Sequence, residues 1–346
     1  MRRTCITARP EKADMDIDIG FWAAIGFAFA AYAVVGNDAL QTLGTFINSN
    51  RRLPWWALFL FASTVLVIVF AYGYITNGGD PSYGRLNNVE KYPILQPTWY
   101  YAIPPLVLVI ITRLGIPVST SFMILSIFAT LDGMYSMLIK SLMGYAVAFV
   151  TGGVIYVALA PTLERWFLKT AEQQHAPVWV LLQWISTGYL WSVWLMQDFA
   201  NIFIFLPRGV DASGAPALNP YEASIAIGGI IVLLAYTFWN GGGPVQKVLK
   251  SKTNVTDIRS ATIIDFTYAS LLFYFKEVNN IPMSTTWVFL GLIAGREFAI
   301  ATLDKIRSPG DTAKIVLTDI GKATVGIIIS VVLALGLPFV AQSLAG

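Results

Sequence analysis

The chain has 346 residues, of which 56% are hydrophobic and 12% are charged, and its mean hydropathy is +0.63. Soluble domains carry about 25% charged residues, so about half of the usual solvating charge is missing and much of the surface must face lipid. The net charge is +3 with scattered basic residues, and there is one cysteine and one histidine, which excludes a nucleic-acid-binding face, an internal disulfide and a histidine-rich metal site.

Long apolar segments follow one another along the chain. Residues 1–18 are polar and lack the apolar stretch of a signal peptide, so we expect them to precede the first span. Segments that approach or exceed the ~20 residues needed to cross a bilayer lie at 21–35, 54–75, 141–160, 223–239 and 315–340. We therefore predict an all-α polytopic membrane protein, multi-pass and resident in a plasma (inner) membrane.

Two of the apolar segments end in an amide followed by an aspartate, Asn37-Asp38 in the first half and Gln197-Asp198 in the second. Ionisable residues inside membrane segments are costly and mark functional sites. Glycines flank the first pair and Pro207 follows the second, which predicts a broken helix at each aspartate. Freed carbonyls, a carboxylate and amides would bind a hard cation. The alternative is that each aspartate caps a helix end at the membrane interface.

Each half also contains a proline followed by three hydroxyl residues. These residues are Ser119, Thr120 and Ser121 after Pro117, and Ser284, Thr285 and Thr286 after Pro282. Proline and hydroxyl residues are favoured at helix N-termini, so half-helices should begin here and direct backbone N–H groups at an anion. The alternative is ordinary capping of a buried helix.

The acidic pairs and the hydroxyl motifs recur at nearly the same spacing, which indicates an internal repeat. We divide the chain into a polar N-terminal segment, a first transmembrane repeat, a connector and a second transmembrane repeat, at 1–18, 19–162, 163–177 and 178–346. Loop 77–97 has a net charge of zero, whereas its counterpart 241–260 carries +3. The second loop is therefore expected to be cytoplasmic and the first to lie outside, so the repeats have inverted topology.

At these motifs the sequence resembles the inorganic phosphate transporter (PiT) family, whose repeats carry G-A-N-D-V-A-N-S-x-G-T and G-L-P-V-S-T-T-H. The first motif corresponds to residues 36–45 and 196–202, and the second to 115–122 and 280–287. The resemblance extends from about residue 20 to residue 338. Glutamine replaces an asparagine of the acidic motif at Gln41 and Gln197, and the histidine after the hydroxyl motif is Phe122 or Trp287.

The resemblance implies sodium- or proton-coupled uptake of inorganic phosphate by a homodimer, with two re-entrant hairpins that carry the hydroxyl motifs at their tips. The implied cation ligands are Asn37, Asp38, Gln197 and Asp198. The implied anion site consists of the six motif hydroxyls, with bridging amides at Gln41 and Asn201. Bound sodium ions are expected and no covalent cofactor is.

We therefore predict a cation-coupled phosphate symporter, an inverted-repeat transporter with broken helices, rather than an enzyme. A sulfate or other oxyanion permease and a non-transporting membrane sensor or scaffold remain as alternatives. Asp265 lies in an apolar stretch, where it is either a proton or ion ligand or the partner of a nearby base. Trp191 and Trp194 are predicted to belong to an interfacial aromatic belt.

Overall fold

The computed structural model describes residues 19–113, 118–159, 163, 165–210, 214–241, 257–278, 284–303 and 308–345, with the backbone alone at 37–41, 112, 159, 165, 168, 171, 174, 309 and 345. These residues form helices and no strand beyond an isolated bridge between Val210 and Pro216. The helices are, in chain order, α1 (Phe21–Ser49), α2 (Trp55–Thr76), α3 (Ile103–Arg113), α4 (Thr120–Leu125), α5 (Leu131–Leu159), α6 (Arg165–Lys169), α7 (Pro177–Phe203), α8 (Pro220–Trp239), α9 (Ile258–Phe273), α10 (Thr285–Leu303) and α11 (Pro309–Ala345). The all-α prediction is confirmed.

Five of the described helices, α2, α5, α8, α10 and α11, are long and apolar enough to cross a bilayer. The most apolar, α11, buries only 22% of its 18-residue apolar window inside the protein, and Phe339 exposes 74% of its surface. Large apolar side chains exposed along a whole helix are stable in contact with lipid rather than water. The chain is therefore a multi-pass integral membrane protein, as predicted.

Helices α1 and α7 pack against each other at the centre of the molecule. Helix α7 also contacts α2 and α9, while α1 contacts α8 and α3. Further out, α5 packs along α10, and α4 packs on α11. In the first half of α7 the buried residues recur every three or four positions, as Gln183, Ser186 and Leu190 do, whereas from residue 197 to residue 203 every residue is buried. The first half therefore buries one face, and the second half is surrounded by other helices. The surrounded half of α7 carries the polar side chains of Gln197, Asp198 and Asn201 into the centre of the protein.

Helices α5 and α10 approach so closely that their backbones touch. A methyl group on Gly295 would lie 1.9 Å from the carbonyl oxygen of Phe149. One on Gly152 would lie 2.3 Å from the carbonyl oxygen of Leu292. Glycine is required at these positions because a side chain would force the two helices apart. The contact fixes the position of α10, which begins at the second hydroxyl motif.

The loop at 77–98 is folded against the rest of the protein, and Arg208 holds it there. The guanidinium of Arg208 donates to the carbonyl oxygens of Tyr92 and Pro93, the latter at 2.7 Å. Burial lowers the pKa of Arg208, an effect that the nearby Asp80 opposes, and an arginine so placed stays charged at neutral pH. These hydrogen bonds therefore fix the position of the 77–98 loop against the rest of the protein.

A second arginine joins the connector to α9. Arg259 is fully buried, its guanidinium carbon lies 4.3 Å from the ring centroid of Phe167, and its Nη2 contacts Asp257 at 2.6 Å. Its Nη1 donates to the hydroxyl of Thr170 at 2.7 Å. Because charge, stacking and hydrogen bonds are all satisfied, the arginine can be buried without an unpaired charge. The contact ties the connector to the start of α9.

The predicted helix breaks at the two acidic pairs are wrong. Helix α1 runs without interruption through Asn37 and Asp38, and α7 runs through Gln197 and Asp198. Amide and carboxylate side chains leave the backbone hydrogen-bond ladder of a helix intact, so they do not break it. The carbonyls there are consequently not freed for a cation. The interruptions precede α4 and α10 instead, where Pro117 and Pro282 lie outside the described residues.

Candidate functional site

The two hydroxyl motifs meet in the protein interior. Ser119 caps the N-terminus of α4 by accepting a hydrogen bond from Phe122 N, and Ser284 directly precedes α10. The two serine hydroxyl oxygens lie 2.8 Å apart, although 165 residues separate them in sequence. The hydroxyl of Thr286 also donates to the carbonyl oxygen of Val118 at 3.3 Å. The interrupted helices therefore converge at their hydroxyl ends.

All six predicted hydroxyl residues are buried, at 5% exposure or less, and they are Ser119, Thr120, Ser121, Ser284, Thr285 and Thr286. Helix α10 has 19 residues, so its N-terminus carries a substantial dipole. Helix α4 has only six residues, and its contribution comes from its side chains rather than from a dipole. The two motifs of this hydroxyl cluster therefore differ in that only the second one lies at the N-terminus of a long helix.

Asp198 connects both motifs. Its carboxylate accepts hydrogen bonds from Ser121 at 3.4 Å and from Thr285 at 3.3 Å, and a third from the side-chain amide of Asn201. The residue is completely buried, and no salt bridge to it occurs among the described residues. A buried carboxylate that is held only by neutral donors leaves a negative charge in the interior for which a cation is the natural partner.

Several polar atoms beside Asp198 have no hydrogen-bond partner among the described residues. Both amide atoms of Gln197 and the carbonyl oxygen of Asn201 are buried in this state. Such atoms are rare in folded proteins and call for a water, an ion or a ligand, since an unmade buried hydrogen bond costs about 1–3 kcal/mol. Two side-chain oxygens next to a carboxylate are suitable ligands for a hard cation.

Arg85 is a residue that the sequence reasoning missed. It lies in the 77–98 loop, and its Nη1 donates to the backbone carbonyl of Gln197 at 2.6 Å. It is within electrostatic range of Asp198. No motif or spacing around Arg85 indicates this position, because the contact is made only when the loop folds back over α7. The site therefore has a fixed positive charge that the hydroxyl motifs lack.

The first-half members of the predicted cation site lie outside the described side chains. The backbone of α1 includes Asn37, Asp38 and Gln41, and their side-chain positions are not part of the structure. Among the described residues no group of three or more histidine, cysteine, aspartate or glutamate side chains is present. The described candidates for cation binding are therefore a single carboxylate with amide and hydroxyl oxygens.

The predicted interfacial position of Trp191 and Trp194 is wrong. Each exposes only 1% of its surface, and the two indole rings stack at 4.9 Å with an interplanar angle of 11°. Trp191 donates to the carbonyl oxygen of Ala62 in α2 at 2.9 Å. They are buried because α7 is a central helix, which amino-acid type alone did not reveal.

Comparison with known proteins supplies no assignment. No family model, no curated protein and no solved structure matches this chain. The resemblance to the phosphate transporter family consequently depends on the four motif stretches, and the function has to be argued from the geometry of the site.

Proposed function

We propose that the protein is a cation-coupled symporter of inorganic phosphate, as the resemblance to the phosphate transporter family implies. The observation that carries the proposal is the meeting of the two hydroxyl motifs at a buried carboxylate. Ser119 and Ser284 are in hydrogen-bond contact, and Asp198 accepts hydrogen bonds from both motifs. Sulfate is the second candidate substrate, since it is an oxyanion of similar shape.

An oxyanion fits the hydrogen-bonding character of the site. The hydroxyls of Ser121 and Thr285 and the guanidinium of Arg85 are donors, and donors are what a phosphate oxygen requires. Arginine suits this role because its planar fork matches the spacing of two oxyanion oxygens. Arg85 is the one permanently charged donor among these, and the hydroxyl donors are neutral, which permits release of the anion.

The carboxylate of Asp198 explains why transport would be coupled to a cation. Two negative charges about 4 Å apart repel by about 4 kcal/mol at an effective dielectric constant of 20. A sodium ion or proton held at Asp198 removes this repulsion, so cation and anion bind best together. For sodium, the side-chain oxygens of Gln197 and Asn201 add neutral ligands, and Asp38 on α1 is the proposed first-half counterpart.

The proposed architecture is an inverted repeat with two re-entrant hairpins, α3–α4 and α9–α10. Three pairs of helix contacts support it, because each contact in one half has a partner in the other. Helix α1 packs on α3 as α7 packs on α9, α2 packs on α7 as α8 packs on α1, and α4 packs on α11 as α5 packs on α10.

Cysteine labelling tests this topology. In a Cys5→Ser background, single cysteines in loop 77–97 should be labelled from outside and cysteines in loop 241–260 from inside. Labelling of both loops from the same side would contradict the inverted repeat.

A non-transporting sensor or scaffold is the second candidate. The hydroxyls of Ser119 and Ser284 bond directly to each other at 2.8 Å, as expected for a contact that holds two helix ends together. In that case the hydroxyls would contribute stability and no binding of oxyanions.

Uptake of labelled phosphate or sulfate into proteoliposomes distinguishes the candidates. Loss of a hydrogen bond to a charged ligand costs ~1.5–3 kcal/mol, so Thr285→Val should weaken phosphate uptake about ten- to a hundredfold. Thr285→Ser, which keeps the hydroxyl, should retain most activity. Thr64→Val is the matched control, because Thr64 is exposed on α2 and donates only to its own helix. Absence of uptake by the wild-type protein under any cation gradient would contradict the symporter and support the non-transporting sensor or scaffold.

A further inference from the structure

Asp265 forms a second buried carboxylate site that the oxyanion site does not use. It lies on α9 and exposes only 2% of its surface. One carboxylate oxygen accepts a hydrogen bond from Thr45 of α1 and the other from Thr187 of α7, both at 2.9 Å. The carboxylate therefore joins three helices, two of which are the central pair of the fold.

No basic side chain pairs with Asp265 among the described residues. The salt bridges there connect Arg259 with Asp257, Lys276 with Glu277, and Arg296 with Glu297. The sequence left two alternatives for Asp265, a proton or ion ligand and the partner of a nearby base. The described residues provide no such base, which favours the first alternative. An ionised carboxylate held by two neutral hydroxyls in an apolar interior is costly, which favours uptake of a positive charge.

The two threonine contacts suit a proton in particular. A hydroxyl group can donate or accept a hydrogen bond. The same 2.9 Å contacts therefore serve the carboxylate, which accepts from both threonines, and the carboxylic acid, which donates to one of them. Protonation then requires rotation of a hydroxyl hydrogen and no movement of a helix.

A cavity connects with this carboxylate. Its volume is about 120 Å³, and Asp265 and Thr45 line it together with Tyr156, Ser260 and Arg296. Most of its wall is apolar, and the polar side chains are grouped around Asp265 and Thr45 on α9 and α1 and around Arg296 on α10. The volume has room for several waters, and these polar groups are the partners that such waters need in order to deliver a proton. Thr187 and Asp198 are eleven residues apart on α7, so the two carboxylates are separated by about 16 Å along the helix at 1.5 Å per residue.

The other charged and titratable groups around the cavity are not candidates for the proton-binding role that we consider for Asp265. Asp265 is the only carboxyl group among the described residues that line the cavity, and the other charged or titratable ones there are Tyr156, Tyr268 and Arg296. The hydroxyl of Tyr268 donates to a backbone carbonyl, and Arg296 is paired with its neighbour Glu297. On α7 the described groups are Tyr189, which packs beside Phe266, and the distant Asp198.

We infer that Asp265 is a proton-binding site whose protonation accompanies transport, separate from the oxyanion site at Asp198. This coupling role rests on the proposed function. The carboxylate takes a proton from water in the cavity, forms an O–H bond and loses its charge, and it returns the proton to water when the cycle reverses. No electron transfer and no other reactant is involved.

Infrared difference spectroscopy of the purified protein tests the proton site independently of transport. A change from alkaline to acidic pH should produce a carbonyl band of a protonated carboxyl group in the wild type. The component of this band that comes from Asp265 should be absent in Asp265→Asn and present in Asp198→Asn. Wild-type and Asp265→Asn spectra with the same pH-dependent carbonyl bands would overturn the proton site.

Two threonine variants guard against a failure of Asp265→Asn to fold. Thr187→Val removes one hydrogen-bonding hydroxyl and should shift the band, while Thr187→Ser keeps the hydroxyl and should leave the band close to its wild-type position. Equal spectra for the two variants would contradict the assignment to Asp265.

Labelled phosphate in proteoliposomes then tests the coupling role. Asp265→Asn should exchange phosphate at equal pH on both sides at a rate within about twofold of the wild type, yet lose accumulation driven by a pH gradient. Accumulation by Asp265→Asn equal to wild type overturns the coupling role and leaves the proposed function intact. A wild-type protein that exchanges no phosphate or sulfate overturns the proposed function together with the coupling role.

Discussion

The backbone contact between α5 and α10 makes Gly295→Ala a sharp test of the structure. The added methyl group would lie 1.9 Å from the carbonyl oxygen of Phe149 and 2.8 Å from the backbone nitrogen of Gly153. Both neighbours are backbone atoms, which cannot rotate away as a side chain would. Restoring an ordinary contact of about 3.4 Å therefore requires the two helices to separate by roughly 1.5 Å, at an overpacking cost of ~1–3 kcal/mol.

A gain in helix propensity opposes this cost. Alanine is favoured over glycine inside a helix by ~0.8–1.0 kcal/mol, so we expect Gly295→Ala to destabilise the protein by about 1 kcal/mol net, within a range of about 0–2 kcal/mol. Gly153→Ala is the matched control on the same helix pair. Its methyl group would meet its nearest neighbour, the carbonyl oxygen of Gly295, at 3.5 Å, which is an ordinary contact. This control should be neutral or slightly stabilising.

Thermal unfolding of the two variants in the same detergent gives the comparison. Gly295→Ala should unfold at a lower temperature than the wild type, and Gly153→Ala at the same temperature or a higher one. Equal unfolding temperatures for the two variants would show that α5 and α10 are not in backbone contact at Gly295, and the reasoning would fail.

The site supports two further predictions, both measured by uptake into proteoliposomes. Asp198→Asn keeps the shape of the side chain but removes its charge, so cation-dependent uptake should be lost while folded protein remains in the membrane; full cation dependence in this variant would reduce Asp198 to a structural role. Arg85→Ala should raise the phosphate concentration needed for half-maximal uptake about tenfold or more, because a charge-assisted hydrogen bond contributes ~1.5–3 kcal/mol. Arg85→Lys keeps the charge and should recover part of this loss; equal uptake by all three proteins would remove Arg85 from the site.

The hydroxyl cluster shows what local sequence chemistry can predict. Proline followed by hydroxyl residues indicates a helix start, and α4 and α10 do begin at Thr120 and Thr285. The helix starts were predictable because each motif acts on its own backbone. The single anion site that the resemblance implies requires the two starts to meet, and the contact between Ser119 and Ser284 agrees with this.

The interior of α7 shows where such reasoning fails. The nearby Pro207 predicts a helix break at Asp198, yet Asp198 lies in a continuous helix and is stabilised by neighbours from α4 and α10. The residue type of Trp191 and Trp194 predicts an interfacial position, yet both are buried. In both cases the outcome depends on which helices surround α7, and this information is not local.

Arg85 illustrates a third limit. Its contact with Gln197 depends on how the 77–98 loop folds. That loop is held in place by Arg208, which follows the C-terminal end of α7. A charge count treats Arg85 as one of several loop residues and assigns it to orientation in the membrane. The contact with the site arises from tertiary structure that no short motif encodes.

The stacked indoles of Trp191 and Trp194 give the protein an internal optical probe. Two nearly parallel rings 4.9 Å apart couple their strong electronic transitions, and this coupling produces a paired signal in far-ultraviolet circular dichroism that isolated tryptophans lack. Trp194 lies one helical turn before Asp198, so a change in α7 near this carboxylate alters the ring geometry and hence the signal. The proposed binding of an ion at Asp198 can thus be tested without a label.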